Sequence, residues 1–205
     1  MSRISKDWVE AYFEYGVDVR NRKVFLFDGV DEDSIGYVIK GLYLMEAEVT
    51  KAQRDSGKIP PIELFIGSFG GSEYEMWALY DVIGTLTSPI HTTAIGKCMS
   101  AAPLLVARGE PGHRYATPNT WFMVHQTWEE WGEKDKDVLM EELKHYSFME
   151  KRWYELMEQH SDRDAAFWRR LCTKKKGDSF FDAYTAQEYG LIDHVWDEKG
   201  GDDGE

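Results

Sequence analysis

The sequence predicts an α/β domain with right-handed crossovers, and three observations carry that prediction. Strand-like and helix-like segments alternate across residues 23–126, the pattern of a sheet covered by helices. Three apolar runs end on a glycine, at Gly29, Gly67 and Gly96, and each leads towards a segment of helical character. From about Asp135 to His160 the apolar residues recur at helical spacing without a break.

Residues 1–22 are polar with interspersed aromatics and read as an N-terminal arm ahead of a domain spanning 23–196. Lys23–Gly29 reads as a buried strand. Asp31 and Asp33 can start the next helix, in which Ile35, Val38, Ile39, Leu42 and Met45 follow helical spacing. Thr50–Pro60 reads as a polar loop. Ile62–Gly67 is a second strand, running through Ser68-Phe69-Gly70-Gly71 into a helix from about Glu73 to Leu86, where Ser72 and Glu75 suggest a capping box.

Ile90–Gly96 is a third strand. Ala101–Ala107 is a short, nearly all-apolar helix, and so a buried one. Arg114–Thr117 and Trp121–Gln126 read as strands parted by Pro118-Asn119. The helix over 135–160 would span roughly 40 Å, with Leu139, Leu143, Tyr146, Trp153 and Met157 on one face. Thr185 with Glu188 suggests another capping box, Gly190 a helix end and Leu191–Val195 a last strand. The Gly- and acid-rich residues 197–205 read as a disordered tail.

The chain has 205 residues, 42% of them hydrophobic, enough for one domain with a real core. A formal net charge of −13 disfavours a nucleic-acid partner. Two cysteines make no disulfide framework, and no apolar run suits a signal peptide or a spanning helix. The expectation is a cytoplasmic chain without a membrane partner. No G-x-x-x-x-G-K-[ST] loop is present, so any ATP hydrolysis belongs to another chain, and no metal or cofactor is expected in this one.

Four segments carry candidate chemistry. In Gly96-Lys97-Cys98-Met99-Ser100-Ala101, a strand gives way to a helix, which sets a serine hydroxyl beside free backbone amides. Such a serine can attack a carbonyl while the Ala101 amide holds the oxyanion. By itself it is more often a helix cap. Gly70 and Gly71 let a second backbone approach closely, with the Gly71 amide a second donor, or they simply form a tight turn. His125 ends an apolar strand, where a neutral imidazole can act as base or serve as a hydrogen-bonded structural residue. Asp178, ahead of Ser179-Phe180-Phe181, can orient that imidazole or act as a turn residue. The other histidines, at 91, 113, 145, 160 and 194, read as surface or capping residues.

Together these segments resemble the ClpP proteolytic subunits. That family carries a strand–SPGG–helix segment, a G-x-x-x-S nucleophile turn, an M-I-H-Q strand end and an Asp-x-Phe segment leading to E-Y-G-L-[VI]-D. This chain has SFGGS at 68–72, GKCMS at 96–100, MVHQ at 123–126 and DSFFDAYTAQEYGLID at 178–193. The resemblance implies a ClpP/crotonase-like spiral of ββα units with a protruding handle helix at about 127–160. It implies a serine endopeptidase with Ser100 as nucleophile, His125 as base and Asp178 as the orienting acid. Gly71 and Ala101 would form the oxyanion hole, and Gly70, Gly71, Gln126 and Thr127 would bind substrate. It further implies a homo-oligomer of two stacked heptameric rings, fed with unfolded polypeptide by an AAA+ unfoldase of the ClpX, ClpA or ClpC type.

The chain departs from the family's pattern at several places. Phe69 replaces a proline, Ala101 a methionine, and Thr127–Glu133 (TWEEWGE) a Gly-rich strand. Lys174–Lys176 fall among extra residues, and the Thr50–Pro60 loop is longer than usual. Two other readings stand beside the peptidase: a structural ring subunit without activity, and a crotonase-fold enzyme acting on an acyl-CoA thioester.

Overall fold

A computed structural model describes residues 12–126, 135–174 and 177–196. Eight strands form one sheet. They are β1 (Val17–Asp18), β2 (Lys23–Leu26), β3 (Ile62–Ser68), β4 (Ile90–Met99), β5 (Arg114–Ala116), β6 (Trp121–Val124), β7 (Ser179–Asp182) and β8 (His194–Val195). The helices are α1 (Glu32–Ala47), α2 (Lys51–Ser56), α3 (Glu73–Thr85), α4 (Ala102–Ala107), α5 (Lys136–Gln159), α6 (Ala165–Thr173) and α7 (Ala183–Glu188).

The main path of the sheet runs β1-β2-β3-β4-β5-β8. It is parallel from β2 to β8, with β1 antiparallel at its edge. Parallel strands need covered faces, and the burial pattern shows it: Leu64, Ile66, Ala94 and Ala116 are fully buried. Helix α1 packs on α3 and α3 on α4, closing the core with Leu42, Met45, Met76 and Leu79. All six residues of α4 are buried, as its apolar sequence predicts. Both cysteines, Cys98 and Cys172, are buried as free thiols.

What positions the site is the length of β4. Its first half pairs with β5 through Thr92–Ala94, while its last residues, Lys97–Met99, pair with β6. The strand crosses a register shift against β3 and passes Gly96 at φ +70°. One strand thus serves two ladders, and β6 with its antiparallel partner β7 branches from the main path of the sheet. The sequence ends this strand at Gly96, but the ladder with β6 carries it three residues further.

Other elements differ locally from expectation. Val17–Asp18, assigned to the arm, joins the sheet edge. Arg22, at the end of that arm, donates to the carbonyls of Met45, Pro60 and Pro61 and to Ser88 Oγ, tying the last turn of α1 to two loops. The loop expected at 50–60 holds the short helix α2, capped by a reciprocal Thr50–Gln53 box. Helix α7 takes its cap from Asp182, whose Oδ1 accepts from Thr185 N at 2.8 Å, rather than from Thr185. Helix α6 and strand β7 carry no counterpart in the sequence reading. The tail at 197–205 lies outside the described residues, as do Thr127 and residues 1–11 of the arm. Among the described residues no helix is long and apolar enough to cross a membrane.

Candidate active site

Ser100 follows β4 and precedes α4, and its backbone is left-handed, with φ +59°. For a non-glycine residue this costs about 1–3 kcal/mol and needs surrounding structure to hold it. The Ser100 amide donates to Met123 O at 2.8 Å, and the wholly buried α4 anchors the other side. The strained turn lifts the hydroxyl out of the strand and frees the Ala101 amide at the entry to α4.

Gly70 packs directly under this turn. A Cβ there would lie 2.5 Å from Ser100 Cβ, 2.6 Å from Met99 O and 2.9 Å from Ala101 N, and its φ is +90°. Only glycine lets the two turns meet. Gly71 forms a parallel bridge with Val30, in which Val30 N donates to Gly70 O and Ser72 N to Val30 O. That bridge uses neither polar group of Gly71, so its N–H faces away from Val30. Phe69, in the position of the family's proline, leaves the glycine turn intact and lies under Lys97, whose Nζ is 4.1 Å from the ring centroid.

His125 comes directly after β6. Because Met99 pairs with Met123, the two chains run side by side past the end of β4, and His125 Nε2 lies 2.8 Å from Ser100 Oγ. With the imidazole proton on Nδ1, the serine hydroxyl donates to Nε2. Asp178 precedes β7, in which Ser179 pairs with Val124. Continuing that register sets Asp178 opposite His125. Asp178 is exposed, and among the described residues no hydrogen bond joins it to the imidazole. Serine and histidine are therefore in contact, and the carboxylate stands at the neighbouring rung.

A cavity of about 300 Å³ opens beside these residues, with Gly71, Ser100, Ala101 and His125 on one wall. Met76 of α3 and Tyr146, Met149 and Trp153 of α5 form the opposite wall. Gln126 is exposed and does not line this cavity, Gly70 supports the turn from beneath, and Thr127 lies outside the described residues. Sequence reading found Tyr146 and Trp153 as part of an apolar helix face but not as cavity wall. It passed over Glu73, Met149, Glu150 and Tyr154. On α5 the signal was available: residues 146, 149, 150, 153 and 154 share one stripe at helical spacing. Cys98, two residues before Ser100, is held protonated by complete burial and is inert. Among the described residues no cluster of His, Cys, Asp or Glu suits a metal ion.

A strained serine contacting a histidine, beside two glycine-shaped backbones, suits acyl transfer. A profile of the Clp protease family matches residues 7–199. The chain belongs to the Clp protease family. It is similar to the ATP-dependent Clp protease proteolytic subunit 1 of Salinibacter ruber (strain DSM 13855 / M31), at 28% identity over 188 residues. That match covers 92% of this chain and 76% of the relative. As a Clp protease it is a ClpP-type serine endopeptidase with the mixed α/β fold of that family. Clp protease subunits in general assemble into rings and work with Clp ATPases.

Proposed function

We propose that Ser100, His125 and Asp178 form the catalytic triad of this endopeptidase, with the Gly71 and Ala101 amides as its oxyanion hole. The contact of 2.8 Å between Ser100 Oγ and His125 Nε2 carries this reading. Ser100 Oγ attacks the peptide carbonyl as its proton passes to Nε2, and the two amides stabilise the negative oxygen that forms. The imidazolium then protonates the departing amine, leaving an acyl-serine. Water, deprotonated by the same imidazole, releases the acid and restores the hydroxyl. Asp178 fixes the tautomer once it accepts from Nδ1. The carboxylate closes that gap by the side-chain and loop movement open to an exposed residue at the neighbouring rung.

The substrate is unfolded polypeptide, lying as an added strand along Gly70–Gly71 and the segment from Gln126 through Thr127. The working particle is two stacked heptameric rings in the cytoplasm, with α5 as the handle between them. An AAA+ unfoldase of the ClpX, ClpA or ClpC type supplies the ATP-driven threading, and this chain needs no cofactor of its own.

A fluorophosphonate probe tests the site. Covalent labelling at Ser100 is expected, lost in Ser100→Ala, together with hydrolysis of short peptides by the assembled chain alone. Absence of labelling under conditions in which peptides are cleaved would assign the chemistry to another residue. Absence of both would mark the chain as an inactive ring subunit.

A further inference from the structure

We propose that Tyr74 and His145 act as a positioning pair that holds the two walls of the catalytic cavity at their working separation, and so sets how firmly an apolar substrate side chain is gripped. This rests on the reading of Ser100 as nucleophile above and adds two residues to that same site.

Tyr74 lies in the first turn of α3, shortly after Gly71, and lines the cavity beside Ser100. Its Oη shares a hydrogen bond of 3.0 Å with His145 Nε2, and the two rings stack at 6.1 Å, 18° from parallel. His145 belongs to the N-terminal half of α5 and meets Tyr146, another cavity residue, edge to face at 5.9 Å. The far end of α5 is tied to α3 in the same manner, by Tyr80 and His160 at 2.7 Å. There Tyr80 is buried, and Trp153, Leu156 and Met157 anchor the helix in the core as well. Tyr74 and His145 are both exposed, so at this end the bond stands without that help.

The space behind the pair gives the bond its weight. Tyr74 and Met149 wall the catalytic cavity on one side and a second hollow of about 230 Å³ on the other, which Trp77, His145, Phe148 and Arg152 also line. A side chain backed by a void lacks the packing contacts that would fix it. With the hydrogen bond cut, the Tyr74 ring and Met149 can retreat into that hollow. The cavity then fits less closely a side chain seated against Met76, Met149 and Trp153. The loss falls on the binding of an apolar side chain beside the attacked carbonyl, and so on KM more than on kcat.

The test uses two matched short peptides, with leucine or glycine before the cleaved bond, digested by the assembled full chain without ATPase. The leucine-to-glycine ratio of kcat/KM is the readout, since general damage to the site lowers both peptides alike. Tyr74→Phe keeps the ring and removes the hydroxyl, and should lower that ratio by about fivefold, the scale of one neutral hydrogen bond. His145→Ala should do the same, and the double variant should go no further. His145→Gln, whose amide can still pair with the phenol, should recover most of the loss. A ratio unmoved in both single variants, or effects that multiply in the double one, would overturn the pairing while leaving the labelled Ser100 and the triad standing. A wild-type chain that takes both peptides equally overturns it too. Calorimetric binding of the same peptides to the Ser100→Ala chain gives a readout independent of turnover. Weaker binding of the leucine peptide alone in the Tyr74→Phe/Ser100→Ala background supports the pair even if no peptide is cleaved. Any other pattern overturns it.

Discussion

At the level of single residues, the chemistry depends on what Gly70 lacks. Its missing side chain is the space in which Ser100 Cβ, Met99 O and Ala101 N sit. Gly70→Ala should slow fluorophosphonate labelling by about a hundredfold or more, the scale of losing an oxyanion donor, with secondary structure retained by circular dichroism. Labelling at the wild-type rate would mean the two turns can separate without consequence. His160 offers a prediction of a different kind. Burial, and then the charges of Arg108 and Arg114, lower its pKa from 6.5 to about 4, and Tyr80 shares a hydrogen bond of 2.7 Å with its Nε2. The unfolded chain takes up this proton near pH 6.5 and the folded chain only near 4. Stability from this group is therefore complete above pH 6.5 and is lost as pH falls towards 4, by on the order of 2 kcal/mol after allowance for partial solvent access. Urea titrations at pH 7 and pH 4.5 should show this, and His160→Gln should flatten that part of the profile.

At the level of elements, apolar periodicity and glycine punctuation were enough to read α1, α3, α4, α5 and the three leading strands within a few residues. These segments bury one continuous face, which leaves a period in the sequence. Elements held by partners distant in the chain were not legible. Strand β7 exists because Phe122 and Phe181 meet across the ladder, with ring centroids 5.6 Å apart. Helix α6 is set by Asp164 capping Phe167 N and by Trp168, fully buried, donating from its ring nitrogen to Ser161 Oγ. Ser100, Gly71 and His125 could be singled out from motif order alone, whereas Glu150 looks like any surface charge until α5 is laid against the cavity. Strand β8 depends on one ion pair. Asp193 accepts from the Arg114 guanidinium at 2.6 and 2.9 Å and from the amides of Gly112 and Arg114. Burial opposes its charge, but these bonds outweigh it and hold the carboxyl below its usual pKa. Asp193→Ala leaves a largely buried guanidinium without its counterion and should cost about 3 kcal/mol in urea unfolding at pH 7.

At the level of the whole molecule, α5 is divided between two tasks. Its C-terminal half is core and cavity wall, with Trp153, Leu156 and Met157 buried. Its N-terminal half projects Val138, Met140 and Leu143 into solvent, with Phe148 just past the midpoint, each more than 40% exposed. A helix that is apolar where, among the described residues, it stands exposed fits a partner surface, in keeping with the family's rings. Leu143→Lys should weaken the contact between the two proposed rings, and native mass measurement would then report the single ring in place of the double one. An unchanged mass would place the ring contact elsewhere.

The two buried thiols give the folded chain a practical blankness. A maleimide dye finds no reactive sulfur on it, so a cysteine introduced on the outer turns of α5 becomes a solitary attachment point. Fluorescence from that point could follow subunits as they join and part, with no native cysteine to remove first.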